Sequence, residues 1–255
     1  MSSGRRGYRD SNSVMIGGIV TCETVTIVRY DGSAMAYDVA VVGGTGPQGK
    51  GLAYRFAGAG RSVVIGSRSQ GRATDTAAAI RERLPDADVA GLANPDAVDA
   101  SGLVVLAVPY DGHDQLVGSL AGHLAGRIVV SCVNPLGFDE HGPYGLDVPA
   151  GSAAETTGRL VPDATVVGAF HHVSAVNLWK HDGPLEHEDV LVCGDDDAAK
   201  VTVIELARCV TGHDGVDAGR LRMARQLEPL TAVLVSVNKR YKTRSGISMT
   251  GIPRG

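Results

Sequence analysis

Length, composition and charge narrow the classes of protein to which this chain can belong. Of its 255 residues, 44% are hydrophobic but only 4% are aromatic, so its core must consist mainly of Val, Leu, Ile and Ala. This composition favours a parallel sheet covered by helices over an aromatic-rich sandwich. A formal net charge of −4, without a basic stripe, argues against nucleic acid as a partner.

Cysteine usage and hydropathy indicate where the protein works. The four cysteines are widely scattered and form no CxxC pair, which is typical of free thiols in a reducing compartment. No apolar run approaches the length that spans a bilayer. We therefore expect a cytoplasmic protein without a membrane partner.

The first 36 residues do not fit the pattern of the rest of the chain. Their opening Ser, Gly, Arg and Asn residues predict disorder. The segments 14–20 and 24–30 could then pair as a hairpin, although Met15 and Met35 are alternative starts. The range 1–36 is therefore interpreted as an N-terminal extension.

Regular alternation of strands and helices begins at Tyr37, and it predicts an α/β fold with a Rossmann-type doubly wound parallel sheet over 37–180. Residues 181–255 are predicted to form a smaller C-terminal α/β domain that completes a substrate cleft. Its final helix, from Leu221 to about Arg240, has a Leu/Val face that could pack on the first domain or on a partner subunit. We expect a homo-oligomer, specifically a homodimer. The predicted strands are 39–42, 62–66, 88–92, 103–108, 127–133, 165–170 and 190–193, and the other predicted helices are 52–59, 71–83, 96–100, 115–124, 153–160 and 196–209.

A glycine motif follows the first predicted strand. Gly44, Gly46 and Gly49 match the GxGxxG fingerprint, with a buried strand before it and an apolar helix after it. In this motif the first glycine permits a tight turn, the second lets the backbone approach a pyrophosphate, and the third lets helix and strand pack closely. The N-terminus of the helix then binds the anion. The sequence therefore predicts a dinucleotide site.

The end of the second strand indicates which dinucleotide is bound. NAD sites of this design carry an acid there for the ribose hydroxyl, but this chain reads Gly66-Ser67-Arg68-Ser69. A guanidinium beside a hydroxyl suits a 2′-phosphate, and Arg72 in the next helix can approach the same group. We predict NADP, with a solvated surface arginine as the alternative interpretation of Arg68.

Three segments are predicted to line the nicotinamide pocket, since ligands of open parallel sheets bind beyond the carboxyl ends of the strands. They are 108–110, 133–137 and 171–175. His171 is the one obvious titratable group among them, and it could act on the substrate or only bond to backbone. The spacing of the four histidines between 171 and 187 fits no common zinc pattern, so we expect no metal. This scarcity of acid–base groups favours a substrate that accepts hydride with little help from side chains.

Six short motifs carry a resemblance to a known family. They are 43–53, 66–68, 108–110, 192–196, 227–230 and 240–242. Together they resemble the NADPH-dependent coenzyme F420 reductases (F420H2:NADP oxidoreductases). The similarity runs from about Tyr37 to the C-terminus, although His172-Val173-Ser174 departs from the family's run of hydroxyl, apolar residue and proline. In that family a Rossmann domain carries NADP, and hydride passes directly between nicotinamide and deazaflavin. The resemblance therefore implies coenzyme F420 as the small-molecule co-substrate.

The resemblance also implies roles for individual residues. Thr45, Gly46, Pro47 and Gln48 would bind the pyrophosphate, together with Gly44 and Gly49 of the motif. Ser67, Arg68 and Arg72 would bind the 2′-phosphate. The nicotinamide half would lie along Val108, Pro109, Tyr110, Leu136 and Ala175. The deazaflavin side would be formed by Asn134, Pro135, His171 and His172, with His171 as the candidate catalytic residue.

Two other functions remain open on the sequence. The first is an NADPH-dependent reductase of a small imine, ketone or ferric–flavin substrate, which would need a proton donor such as His171, His172 or Tyr110. The second is a redox sensor that binds NADP without turnover. Neither can be excluded by fold alone.

Overall fold

The computed structural model describes residues 35–252, so the extension predicted over 1–36 lies almost wholly outside the described residues. The described chain forms one eight-stranded sheet and a separate two-stranded hairpin. The strands are β1 (Val39–Val42), β2 (Val63–Ser67), β3 (Val89–Ala93), β4 (Leu103–Leu106), β5 (Ile128–Ser131), β6 (Leu136–Asp139), β7 (Gly142–Gly145), β8 (Thr165–Gly168), β9 (Leu191–Gly194) and β10 (Val216–Gly219).

The helices alternate with these strands, as the sequence predicts. A short 3₁₀ turn at Leu221–Met223 precedes the last of them. The helices are α1 (Pro47–Gly58), α2 (Gln70–Arg83), α3 (Asn94–Asp99), α4 (His113–Ser119), α5 (Ala121–Leu124), α6 (Ala153–Leu160), α7 (Ala175–Lys180), α8 (Asp197–Leu206), α9 (Arg208–Thr211) and α10 (Ala224–Tyr241).

The order of the strands confirms the doubly wound sheet. It runs β10-β9-β8-β5-β4-β1-β2-β3. From β8 to β3 all neighbours are parallel, and β9 pairs antiparallel to β8. From β1 the chain adds β2 and β3 on one side, and from β4 it adds β5 and β8 on the other side. The two strands therefore flank the switch point, where ligands of such sheets bind.

Alternating side chains of each strand enter two apolar layers, one on each face of the sheet. In β1, Val39 and Val41 belong to one layer and Ala40 and Val42 to the other, and all four are buried. A strand covered on both faces needs a continuous apolar sequence, which is why β-branched runs identified the central strands. Among the described residues, no helix is long and apolar enough to cross a membrane.

Three elements were not predicted. The segment after His172, which we expected to be irregular, contains α7; its N-terminus is capped by Ser174, whose Oγ accepts the Asn177 N–H at 3.4 Å. Buried Arg55 on α1 binds the other end, donating to the carbonyl oxygens of Asn177, Leu178, His181 and Gly183. The hairpin β6–β7 and the edge strand β10 are the other two.

The part of the chain after residue 180 contributes to the same sheet. β9 pairs with β8 through Val167 and Gly168, and β10 extends the edge beyond it. One apolar layer runs from Val39 in β1 to Val210 in α9. The division into domains at residue 180 remains a prediction, but the two parts share one sheet and one core.

Candidate functional site

The turn between β1 and α1 requires glycine at particular positions. Gly43 adopts a positive φ of 79°, and a methyl group placed on it would lie 2.5 Å from the Ala107 carbonyl oxygen. A methyl group on Gly49 would lie 2.6 Å from the carbonyl oxygen of Gly43. Such separations are below van der Waals contact, so the turn cannot hold side chains here. The backbone of the turn thus faces β4 at the switch point.

Helix α1 presents an uncapped N-terminus at this turn. Its N-cap residue is Gly46, which has no side chain to cap the helix, and Pro47 follows in the first turn. The first N–H groups of a helix have no partner within the helix, and the helix dipole makes this end attractive to anions. No acidic side chain lies in this first turn. The arrangement suits a phosphate or pyrophosphate.

A cavity of about 740 Å³ opens beside this turn. The end of β2, the following turn and the first turn of α2 contribute four of its polar side chains, Ser67, Arg68, Ser69 and Arg72. Ser69 caps α2, because its Oγ accepts the Arg72 N–H at 3.5 Å, and this places both arginines at the start of that helix. Two guanidinium groups beside hydroxyls fit a phosphate on the adenosine ribose. The glycine cradle and this basic end together fit NADP.

A second cavity, of about 690 Å³, adjoins the first. The two share Pro109, Asp111, Gly112 and Gln115, which follow β4 at the switch point. The second cavity is further lined by Tyr110, Asp114, Asn134, Leu136, Phe138 and Leu146. Its walls are mostly apolar and its charged side chains are acidic. A ligand in the first cavity can therefore meet a flat molecule held in the second.

Tyr110 supplies a phenol to this second cavity. Burial, followed by the nearby charges of Asp114 and Glu228, raises the pKa of Tyr110 above its usual range. The ring stacks on His113 with 6.3 Å between centroids. His113 is itself fixed, since its Nε2 lies 3.0 Å from the Thr157 hydroxyl and its Nδ1 lies 2.7 Å from Asp114. Tyr110 therefore remains a neutral hydrogen-bond donor at physiological pH.

His171 is buried rather than exposed to either cavity. Its side chain is 2% exposed, and neither ring nitrogen has a hydrogen-bond partner among the described residues. Burial, together with the nearby His172, lowers the pKa of His171 from 6.5 to about 3. The neutral imidazole packs against the sheet near Gly168, where a methyl group would lie 3.2 Å from its Cε1. Its ring is therefore a neutral packing group in this structure.

The backbone at His171 is held by several side chains. The preceding Phe170 adopts φ of 62°, unusual for a residue other than glycine, and its carbonyl oxygen accepts the Gln48 side chain at 3.1 Å. The His171 carbonyl oxygen accepts Asn134 Nδ2 at 2.8 Å and the Thr231 hydroxyl at 2.9 Å. The turn is thus fixed from α1, from the segment after β5 and from α10.

The next residue, His172, is fixed from a different direction. Its Nε2 lies 2.7 Å from the carbonyl oxygen of Asp189. Burial lowers the pKa of His172, and the backbone hydrogen bond to Asp189 partly opposes that effect. His172 is 3% exposed and does not line either cavity.

The structure brings most of the predicted site residues to these two cavities. The first is lined by Thr45, Gly46, Ser67, Arg68, Arg72, Val108 and Pro109. The second is lined by Pro109, Tyr110, Asn134 and Leu136. The predicted residues that line neither cavity are Gly44, Pro47, Gln48, Gly49, Pro135, His171, His172 and Ala175.

Several lining residues were not predicted. Asn94 and Pro95 follow β3 and line the first cavity with Gln115 and Ser119 of α4. The rule used for other strand ends would have selected Asn94 and Pro95, but β3 was only a weak strand in the sequence. The second cavity is also lined by Phe138 and Leu146, which belong to the unpredicted hairpin and the segment after it. Among the described residues no group of three or more His, Cys, Asp or Glu could hold a metal ion.

Comparisons with known proteins identify the family of this chain. The profile of the family described as "NADP oxidoreductase coenzyme F420-dependent" matches residues 38–135. The F420-dependent NADP reductase of Methanocaldococcus jannaschii is 36% identical over 84% of this chain and 98% of its own. That of Methanothermobacter thermautotrophicus is 34% identical over 86% of this chain and 97% of its own.

A solved structure gives the same result. It comes from Arthrobacter sp. fb24, and its description proposes an F420-dependent NADP reductase. It is 29% identical to this chain, covers 84% of it and 100% of its own length, and superposes with a TM-score of 0.69. With relatives above 30% identity matched over nearly their whole length, this chain belongs to the family of coenzyme F420-dependent NADP oxidoreductases.

Proposed function

We propose that this chain is an oxidoreductase that transfers a hydride between NADP(H) and the deazaflavin coenzyme F420. The observation that carries the proposal is the junction of the two cavities along Pro109, Asp111, Gly112 and Gln115. A dinucleotide with its pyrophosphate at the α1 turn can extend along this shared wall. The family membership of the chain supports F420 as the second substrate.

The proposed NADP site uses the residues of the first cavity. The turn from Gly44 to Gly49 holds the pyrophosphate through Thr45, Gly46, Pro47 and Gln48. The side chains of Ser67, Arg68 and Arg72 bind the 2′-phosphate. The cofactor continues past Val108 and Pro109. Its nicotinamide half lies beside Tyr110 and Leu136, and Ala175 is assigned to the same half.

The proposed acceptor site uses the second cavity. Leu136 and Phe138 offer apolar surface to a flat ring. Asn134 lines the same wall, and its side chain donates a hydrogen bond to the His171 carbonyl oxygen. We also assign Pro135, His171 and His172 to this side of the site, because Asn134 donates to the His171 carbonyl oxygen. When bound, the nicotinamide and the deazaflavin supply the redox chemistry themselves. The protein orients the two rings and excludes water, which needs no protein acid or base.

A spectroscopic assay tests this proposal. NADPH, the protein and F420 are mixed, and the deazaflavin absorbance is followed beside parallel reactions with a flavin and with a small imine. We expect bleaching that depends on protein and on NADPH, with F420 turned over much faster than the other acceptors. NADPH oxidation by the imine or the flavin without F420 reduction would contradict the proposal.

The two other functions receive less support. The relatives that this chain matches over nearly their full length are F420-dependent NADP reductases, which does not favour an imine, ketone or ferric–flavin reductase. A redox sensor would bind NADP tightly and would transfer hydride to no acceptor. The same assay therefore separates all three functions.

We also propose that the protein is a cytoplasmic homodimer. Cys132 and Cys193 are buried free thiols, which suits a reducing compartment. Val233 and Tyr241 on α10 are 56% and 70% exposed and offer apolar surface to a second copy. Light scattering on the purified protein measures the assembly, and a monomer at micromolar concentration would contradict it.

A further inference from the structure

The carboxyl group of Glu228 is buried where α10 crosses the start of α6. The side chain is 1% exposed. Its Oε2 accepts the Ala153 N–H at 2.8 Å, and its Oε1 accepts the Ala154 N–H at 3.0 Å. Nothing in the proposed hydride transfer uses this group, and it lines neither cavity.

These bonds complete the capping of α6. Ser152 is the N-cap residue, and its Oγ accepts the Glu155 N–H at 3.0 Å. The N–H groups of the first two helical residues would otherwise be buried donors without a partner. Glu228 supplies both acceptors, so the position of α10 along its own axis is fixed relative to α6.

The next residues of α10 contact both sides of the proposed acceptor site. Pro229 packs against the hairpin, where a methyl group on Gly145 would lie 2.7 Å from the Pro229 Cβ. The opposite strand of that hairpin carries Leu136 and Phe138, which line the second cavity. Thr231 lies two residues after Pro229 in α10, and its hydroxyl donates to the His171 carbonyl oxygen.

We infer that Glu228 is a positioning residue for the F420 site: by fixing α10 against α6 it places Pro229 behind the hairpin wall and Thr231 on the His171 turn. The inference rests on the proposed function, because it assigns the second cavity to F420. It predicts that Glu228 affects F420 and leaves unchanged the adenosine and pyrophosphate part of the NADP site, at β1, β2 and α1, which supplies most of the contacts to that cofactor.

A second link between α10 and α6 provides a matched control. Arg225 binds Glu155 through its Nε at 2.8 Å and through its Nη2 at 2.7 Å. This pair joins the same two helices, but the Arg225 side chain is 49% exposed. The Glu155 side chain is 16% exposed, but an ion pair whose guanidinium reaches solvent contributes less than a buried carboxylate that accepts two buried N–H groups. Loss of this link should therefore not move the hairpin or the His171 turn.

The charge of Glu228 adds a readout that a purely structural role would not give. The pKa of Glu228 is raised to about 7, mainly by burial. The hydrogen bonds from the Ala153 and Ala154 N–H groups oppose this rise, and the nearby charge of Glu155 adds to it. Tyr110 and Cys193 also face Glu228 from the segment after β4 and from β9. Protonation removes one strong acceptor, so below pH 7 the wild type should come to resemble a glutamine variant.

The experiment compares Glu228→Gln with Glu155→Gln in the full chain. Glutamine keeps one acceptor but presents an amide donor to the second N–H. We expect Glu228→Gln to raise the KM for F420, and the Kd for F420 measured with NADP⁺ bound, about tenfold, because the wall at Pro229 and the His171 turn lose their fixed positions. The Kd for NADP⁺, measured by calorimetry, should change less than about twofold. Glu155→Gln should resemble the wild type above pH 7, where Glu228 is ionised in both proteins. The ratio of the Glu228→Gln and wild-type KM values for F420 should fall toward one below pH 7.

Several results would overturn the inference. They are an unchanged Kd for F420, an equal loss for both ligands, or a KM ratio that does not vary with pH. If Glu228→Gln does not fold, Thr231→Val takes its place, because it removes only the donor to the His171 carbonyl oxygen and should also weaken F420 selectively. A wild type that binds F420 without reducing it would contradict the proposed function alone, since the binding comparison would still test Glu228.

Discussion

At the scale of single residues, we propose that the cofactor preference depends on Arg68. Its guanidinium group lines the first cavity with Arg72, and no acid stands at the end of β2. A carboxylate there would accept the ribose hydroxyl of NAD but would repel a phosphate. The discrimination between the two dinucleotides is therefore electrostatic.

Replacing this side chain should change the cofactor preference. For Arg68→Ala we expect NADPH binding to weaken about ten- to a hundredfold, because a hydrogen bond to a charged group is worth about 1.5–3 kcal/mol. NADH lacks the phosphate and should bind as before, which makes it the internal control. Steady-state kinetics with both dinucleotides would contradict the assignment if the two lost affinity equally.

His171 makes a different prediction, on stability against pH. Its pKa is about 3 in the folded protein and 6.5 ordinarily, so the unfolded chain takes up a proton that the native protein excludes. This contribution to the free energy of unfolding is complete above pH 6.5 and is lost as the pH falls toward 3.

The matched comparison is with His171→Gln, which cannot titrate. Between pH 7 and 4 the wild type should lose more free energy of unfolding than the variant does. Urea denaturation at several pH values measures this difference. Parallel curves would show that the imidazole is accessible to protons in the native state.

At the scale of elements, the β1–α1 turn can be tested by adding a methyl group. Gly43 and Gly60 both have positive φ, of 79° and 83°, but only at Gly43 would the methyl group contact other atoms. Gly60→Ala should cost about 1–2 kcal/mol, the penalty for an L-residue in this conformation. Gly43→Ala should cost about 1–3 kcal/mol more, because it also overpacks against Ala107. Thermal unfolding of the two variants measures the difference, and equal losses would mean that the turn can relax.

The elements also show what the sequence could and could not predict. The central strands were predictable because burial on both faces imposes continuous apolar runs, and Arg68 was found because it replaces an expected acid. The hairpin β6–β7 has few β-formers in its second strand, GPYG, and its pairing depends on contact with Pro229 of α10. Helix α7 has six residues, too few to show a helical period. It is stabilised by Arg55, more than a hundred residues away in sequence.

Contacts between residues distant in sequence also limited the prediction of the site. Residues at strand ends were predicted because the topology of the sheet alone brings them together. The burial of His171 could not be foreseen, because it depends on Thr231 and Asn134 holding its backbone. Phe138 was missed because its strand was missed.

At the scale of the whole molecule, the two predicted domains share one sheet and one apolar layer. We expect a single cooperative unfolding transition, because separating β9 from β8 would expose that common layer. Calorimetry checks this by comparing the calorimetric and van't Hoff enthalpies. Two resolved transitions would instead support an independent C-terminal domain from residue 181.

The wall shared by the two cavities has a kinetic consequence. A dinucleotide bound as proposed would pass along Pro109 and Gly112, which line both cavities, and would form one side of the space left for the acceptor. We therefore expect compulsory-order turnover: the pyridine nucleotide enters before its redox partner and departs after it. When the cell's supply of this nucleotide is low, the enzyme would therefore be free of both ligands, because without nucleotide it has little affinity for deazaflavin. It would not accumulate as an unproductive complex with deazaflavin alone.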